Sequence, residues 1–188
     1  MPLSETDFQN EKFYIEVSAR YHDYRRSALE WCMTLIRLIS LLGSIASLLA
    51  VSIWVESSDR MVLAVAIASI LVGVANLFDL VFQFDSKARI HTSLYQRFKT
   101  LQGEMAKDQL AWQKFLPEWQ AEAQSIRIDE PPTYWAVYTR AWNQTAERYR
   151  LFGHKHQIRW YQSLGLVSNL LHFRPDQFGF AAAAGEAH

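Results

Sequence analysis

Hydrophobic and polar positions along this chain follow three regimes. From residue 10 to 31, apolar and aromatic residues recur every three or four positions. Tyr14, Val17, Tyr21, Tyr24, Ala28 and Trp31 form one stripe, which continues into Leu35 and Leu38. That spacing predicts an amphipathic helix, and no Gly or Pro interrupts its passage into the next segment. Residues 33–84 hold two runs without charge, Leu38–Val55 and Met61–Phe78, joined by the polar link Glu56–Arg60. At a helical rise of about 1.5 Å per residue, each run nearly crosses a hydrocarbon core of about 30 Å. Met33–Leu35 and Leu80–Phe84 complete the two spans. The third regime, residues 85–173, returns to amphipathic helical spacing.

The pattern predicts an all-α membrane protein: a two-transmembrane helical hairpin extended by long cytoplasmic helices that form a stalk or bundle. A buried hairpin in a soluble bundle is the alternative, although soluble core helices rarely run so far without a charge on any face. The polar stretch before the first run argues against a signal peptide.

Folding the hairpin about Ser58 sets positions at equal depth. Arg37 then faces Asp79, Ser40 faces Asn76, Gly43 faces Gly73 and Ser47 faces Ser69. Arg37, Ser40, Ser44 and Ser47 share one face of the first helix, and Ser69, Gly73, Asn76 and Asp79 share one face of the second. Small residues let membrane helices approach, and Ser and Asn contribute about 0.6–2 kcal/mol per hydrogen bond across the contact. An unpaired charge at that depth is costly, so Arg37 and Asp79 are expected to form an intramembrane ion pair. The two stripes serve either as glue between helices or as a pore lining. The matching of partners within one chain favours glue, with Asp79 and Asn76 the best pore candidates.

Over residues 85–124 the spacing predicts one long helix through Trp119. Phe98, Met105, Trp112 and Trp119 lie seven apart, with Leu94, Leu101 and Phe115 at companion positions and Asp108 interrupting. This seam is expected to pair with the Tyr14, Tyr21 and Tyr24 stripe, and Pro117 to kink or end the helix. Residues 125–173 are broken by Pro131-Pro132. Thr133 is expected to cap a helix over Tyr134–Phe152, with Gly153 ending it. An amphipathic helix is expected over His154–Phe173, packed on the bundle or lying in the headgroup region, with the bundle favoured. Residues 174–188 are expected to be a disordered tail, and residues 1–9 to fray.

Charge and composition narrow the function. Nineteen Lys and Arg balance nineteen Asp and Glu, so there is no basic footprint for nucleic acid. Mean hydropathy is slightly negative although half of the residues are hydrophobic, so the apolar residues are concentrated. The single cysteine, Cys32, makes no intrachain disulfide and fits a reducing compartment. Arg25, Arg26 and Arg37 precede the first span, and Lys87 and Arg89 follow the second, whereas the link offers only Arg60. Positive-inside bias therefore predicts both termini in the cytoplasm. No Gly-rich phosphate loop, CxxC pair or HExxH occurs, His154 and His156 point to different faces of a helix, and neither enzyme activity nor a cofactor is expected.

An aromatic and Arg-rich helix (Ala19-Arg20-Tyr21-His22-Asp23-Tyr24-Arg25), a two-span hairpin, a long charged helix and a Pro-broken tail (Ile128-Asp129-Glu130-Pro131-Pro132) follow one another. Over residues 10–170 this order resembles the SLATT family, the two-transmembrane effectors that accompany SMODS nucleotide synthases and SLOG sensors in bacterial conflict systems. The resemblance implies an inner-membrane effector of antiviral defense that forms a homo-oligomeric pore, triggered by a nucleotide signal or a cytoplasmic partner protein. A non-conducting membrane adaptor that recruits a cytoplasmic partner through its stalk is the other expectation.

Overall fold

A computed structural model of the protein describes residues 4–53, 59–151 and 156. Its helices are α1 (Glu5–Ile53), α2 (Asp59–Phe82), α3 (Phe84–Lys107), α4 (Trp112–Ile128) and α5 (Trp135–Arg148), with a short 3-10 turn at Gln109–Ala111. No strand occurs among the described residues, so the chain is all-helical, and α1 and α2 are long and apolar enough to cross a membrane. The chain divides into two compact units, Met1–Ala28 with Arg89–His188, and Leu29–Ala88.

In the first unit, α1 begins at Glu5 rather than residue 10. Ser4 caps it: Asp7 N–H donates to Ser4 Oγ at 3.2 Å, and Ser4 N–H donates to Asp7 Oδ2 at 2.9 Å. This reciprocal box satisfies end groups that would otherwise fray, and Phe8 is buried just inside it. Two faces of α1 are then covered at once. Phe8, Ile15 and Ala19 pack with Leu94, Phe98, Leu101 and Met105 of α3 and with Leu116, Trp119, Ala123 and Ile126 of α4. Phe13, Val17 and Tyr21, flanked by Tyr24, pack with Val137, Ala141 and Ala146.

The stalk expectation is thereby corrected. The seam of Phe98, Met105 and Trp112 meets the Phe8, Ile15 and Ala19 face, not the tyrosine stripe, which packs on α5. Tyr14, at the stripe's start, is exposed. The predicted helix over 85–119 also breaks earlier than Pro117. α3 stops at Lys107, where Asp108 accepts a hydrogen bond from Ala111 N–H at 2.9 Å and α4 begins anew at Trp112. Asp is a poor helix-interior residue because it competes for local backbone hydrogen bonds. Pro117 sits inside α4 as its sixth residue and does not end the helix. α4 runs back along α3: Arg97 pairs with Glu122 at 3.8 Å and with Asp129 at 2.6 Å, while Glu104 and Glu118 line the same groove.

α5 starts at Trp135 with Tyr134 as an extended N-cap that makes no side-chain cap bond, so Thr133 does not cap it. It ends at Arg148, before Gly153. Leu151 N–H donates to Ala146 O at 2.8 Å and Arg150 N–H to Glu147 O at 3.0 Å, the paired bonds of a Schellman ending. Arg150 occupies the left-handed position with φ 58°. The segments expected over 152–155 and 157–188 lie outside the described residues.

The second unit is an antiparallel pair formed by α1 from Leu29 onward and α2, closed at one end by Phe84 and Ala88 against Leu29 and Cys32. Gln83, with φ 48°, separates α2 from α3.

A left-handed conformation costs a non-glycine residue about 1–2 kcal/mol. Arg150→Gly relieves that cost and is expected to raise the stability of the protein by about 0.5–1 kcal/mol, measured as a higher midpoint in thermal unfolding followed by circular dichroism.

Candidate functional site

The half-buried positions of the second unit define the contact between its helices. On α1 they include Met33, Ile36, Ser40, Gly43 and Ser47, and on α2 Val65, Ala68, Val72, Ala75 and Asp79. Both rows step by three and four residues, the geometry of a helix–helix seam. Ser40 Oγ donates to Asn76 Oδ1 at 3.0 Å, so this depth-matched pair forms. Gly43 does not face Gly73. A Cβ at Gly43 would lie 2.0 Å from Val72 Cγ2, so the absence of a side chain lets α2 approach there, whereas nothing lies within 4 Å of a Cβ on Gly73.

The contact row on α2 is therefore Ala68 and Val72, one position from Ser69 and Gly73. Ser69, Gly73 and Asn76 are exposed. Ser47 Oγ donates to Gly43 O at 2.8 Å and Ser44 Oγ to Ser40 O at 2.7 Å. Both hydroxyls are thus used within their own helix, and neither crosses the seam. Ser44 is exposed. Arg37 is exposed and Asp79 half-buried, and no ion pair joins them among the described residues.

The first unit encloses a polar chain that the sequence reading passed over. His22 on α1 is fully buried and His91 on α3 is 3% exposed. Their Nδ1 atoms are 2.8 Å apart. On its other edge, His22 Nε2 lies 3.3 Å from Glu130 Oε1, within ion-pair reach though not aligned as a hydrogen bond. Phe98 stacks on His22 at 5.7 Å between centroids, and Tyr21 meets both imidazoles edge-on. Arg25 is buried with its guanidinium 3.7 Å from the centre of the Tyr134 ring. Tyr21 OH accepts a hydrogen bond from Tyr134 N–H at 3.1 Å, fixing the start of α5.

Burial, the neighbouring His22 and the Arg25 charge push His91 down to about 3. Burial pushes the Tyr21 phenol up to about 12, so it stays neutral. Glu130 faces the Nε2 edge of His22 and His91 the Nδ1 edge, so the three groups do not converge on a point where a metal would sit. No group of three or more metal-ligating side chains occurs among the described residues.

Spacing held a signal for this pair. His91 falls three residues before Leu94 on the row Leu94, Phe98, Leu101, Met105, and His22 falls three after Ala19 on the row Phe8, Ile15, Ala19. Choosing the tyrosine stripe as the core face hid both.

A second buried polar hub lies nearby. The Glu16 carboxylate accepts from Arg20 Nη2 at 2.9 Å, Arg148 Nη1 at 2.7 Å and Tyr149 OH at 3.2 Å. Burial pushes this carboxyl up, but the hydrogen bonds and charges of Arg20 and Arg148 outweigh it and hold it below the usual range. Tyr24 OH donates to Gln144 Oε1, a further link between α1 and α5.

No protein-family model matches the chain, and neither a curated protein nor a solved structure matches it.

Two substitutions test the helix contact. Gly43→Ala places a methyl group against the stiff β-branched Val72 and is expected to weaken the α1–α2 packing by about 1–3 kcal/mol. Gly73→Ala is expected to change stability by less than about 0.5 kcal/mol. Thermal unfolding in mild detergent measures both. In the first unit, Glu16→Gln is expected to cost about 1–3 kcal/mol at neutral pH. A carboxyl held below its ordinary range stabilises the fold above that range and stops doing so as pH falls through its folded value. The gap between wild type and Glu16→Gln should therefore narrow below about pH 4 in chemical denaturation.

Proposed function

We propose that Leu29–Ala88 crosses a bacterial inner membrane as a two-helix hairpin, with both termini and the first unit in the cytoplasm, and that copies assemble to form or gate a pore in antiviral defense. The observation that carries this reading is the apolar surface of the second unit. Leu38, Leu41, Leu42, Ile45, Leu48 and Leu49 on α1 are exposed, and so are Ile67, Ile70, Leu71, Leu77, Leu80 and Val81 on α2; Leu48 and Leu80 reach 71% and 73%. Soluble monomers rarely expose contiguous apolar patches beyond a few hundred Å². A lipid bilayer is the partner whose chemistry fits a two-helix surface of this kind, because the helices satisfy their own backbone hydrogen bonds. The excess of Arg25, Arg26, Lys87 and Arg89 near the outer ends of the spans supports the orientation. Resemblance to the SLATT family supports the effector role and a cytoplasmic trigger, either a nucleotide signal or a partner protein.

A non-conducting adaptor is the second reading, and the Ser40–Asn76 bond and the close approach at Gly43 favour it. They close the space between the two helices of one copy, so a conducting path requires several copies. In that case Ser44, Ser69 and Gly73, on outward faces, are the residues offered to neighbours.

Purified protein in liposomes separates the readings. Resistance to alkaline extraction together with triggered ion flux is expected for the pore. Resistance to extraction without flux, and a monomer or dimer in mild detergent, would leave the adaptor. Release into the supernatant without detergent would overturn the membrane placement itself.

A further inference from the structure

We propose that the His22–His91–Glu130 chain is an acid-sensitive latch, closing α1, α3 and the link before α5 on one another at neutral pH and releasing them in mild acid. This goes beyond the membrane reading and does not depend on it, because every residue involved belongs to the first unit.

The argument begins with a count of protons. Two Nδ1 atoms 2.8 Å apart have room for one hydrogen between them. One imidazole donates and the other accepts, so at least one must hold a bare Nδ1. With a proton on Nε2, the edge of His22 that Glu130 stands against, His22 Nδ1 accepts and His91 Nδ1–H donates. If His22 instead carries both protons, Glu130 balances its charge and His91 Nδ1 accepts. Each arrangement leaves at least one imidazole of the pair neutral, and His91 is the one with no carboxylate at its other edge. A charged His91 would aim a second N–H at its neighbour or find its charge without a counter-ion.

Among the described residues, no carboxylate stands in ion-pair reach of His91. From α1 come the phenol of Tyr21 and the cationic Arg25. From the link come Glu130, which stands against the far edge of His22, and Tyr134, which lies under Arg25. From α3 comes the apolar face of Phe98, and from α5 Tyr138, edge-on to Tyr21. Arg127 of α4 is paired with Glu11 at 2.9 Å. Arg25 acts on His91 as a like charge, which disfavours a second proton on its ring.

The sign follows. An open first unit returns His91 to its ordinary value of 6.5, while the closed one holds it near 3. The closed form binds fewer protons between those values, so closure is complete above pH 6.5 and weakens progressively as pH falls. Between pH 7.5 and 5.5 the opening constant should rise about tenfold from this one group. The carboxylate of Glu16 adds to acid sensitivity only at lower pH, since it stays ionised through this window.

Hydrogen exchange on the full chain in mild detergent, read on peptides covering residues 19–25 and 89–95, tests the latch. Wild type is expected to open about tenfold more readily at pH 5.5 than at pH 7.5, after correction for intrinsic exchange. His91→Asn, whose amide takes the Nδ1 position but does not titrate, should flatten that response. Equal opening of wild type at both pH values, or an undiminished response in His91→Asn, overturns the proposal. Should His91→Asn fail to fold, the wild-type imidazole resonances decide. A His91 ring that stays neutral while the unit is closed supports the latch, and one that titrates near 6.5 with the fold intact overturns it.

Discussion

Between Phe8 and Arg25, α1 is covered on two sides, and the other helices of the first unit take their places from that constraint. A helix with one apolar stripe settles on a single partner. Here Phe8, Ile15 and Ala19 receive α3 and α4, while Phe13, Val17 and Tyr21 receive α5. A helix that buries so much of its circumference has few positions left for polar side chains, and those that fall between the faces go inside. Glu16 and His22 are such residues, each 4% exposed or less. Each is tolerable only because partners from other helices meet it, and each therefore ties α1 to a particular neighbour. Glu16 draws in Arg148 and Tyr149 at the end of α5, and His22 draws in His91 on α3 and Glu130 beside the two prolines.

The two hubs differ in what they do with charge. Glu16 is a buried anion surrounded by cations and donors, so its network is strongest when it is ionised. The histidine pair works the other way, because its short contact requires a missing proton. Both favour the closed unit at neutral pH, but they fail at different acidities, the His91 contact first. A bundle pinned by an ion hub alone would be insensitive to mild acid. One with a neutral imidazole at its centre is sensitive in the range where histidine ordinarily titrates.

Much of the architecture could be read from the residues. Uncharged runs of membrane length, a tight polar link and a seven-residue apolar row led to a hairpin followed by amphipathic helices, and as far as Arg148 the helices are there. What failed was the choice of face. On α1, large tyrosines drew attention to one stripe, while the smaller residues Ile15 and Ala19 defined an equally buried one. On α2, the polar row Ser69, Gly73, Asn76 stood out by contrast with its apolar surroundings. The helix is in fact seated on Ala68 and Val72, one position away, because close packing selects small and branched side chains that fit the opposing groove. Boundaries failed for local reasons: Asp108 ended a helix that the seam alone would continue, and Arg150 accepted a left-handed backbone that glycine was expected to supply.

That one-residue offset bears on how the hairpin would work in a bilayer. Had the polar rows met, every hydroxyl would have been consumed between the two helices of one chain. Instead Ser40 is the one hydroxyl among the described residues that reaches across, Gly43 provides the close approach, and Ser69 and Gly73 are left on an outward face with Arg37 and Ser44 also exposed. An exposed arginine near the end of an apolar span has two physical outlets: it extends toward the headgroups, or it meets an acid on a neighbouring chain. The glycine at 73 permits a neighbour to approach, and the half-buried Asp79 stands six residues further along the same helix. Where they are described, the two helices of one copy close on each other at Ser40 and Gly43, so if the protein conducts, the path lies between copies, along the faces that the hairpin's own packing leaves unused.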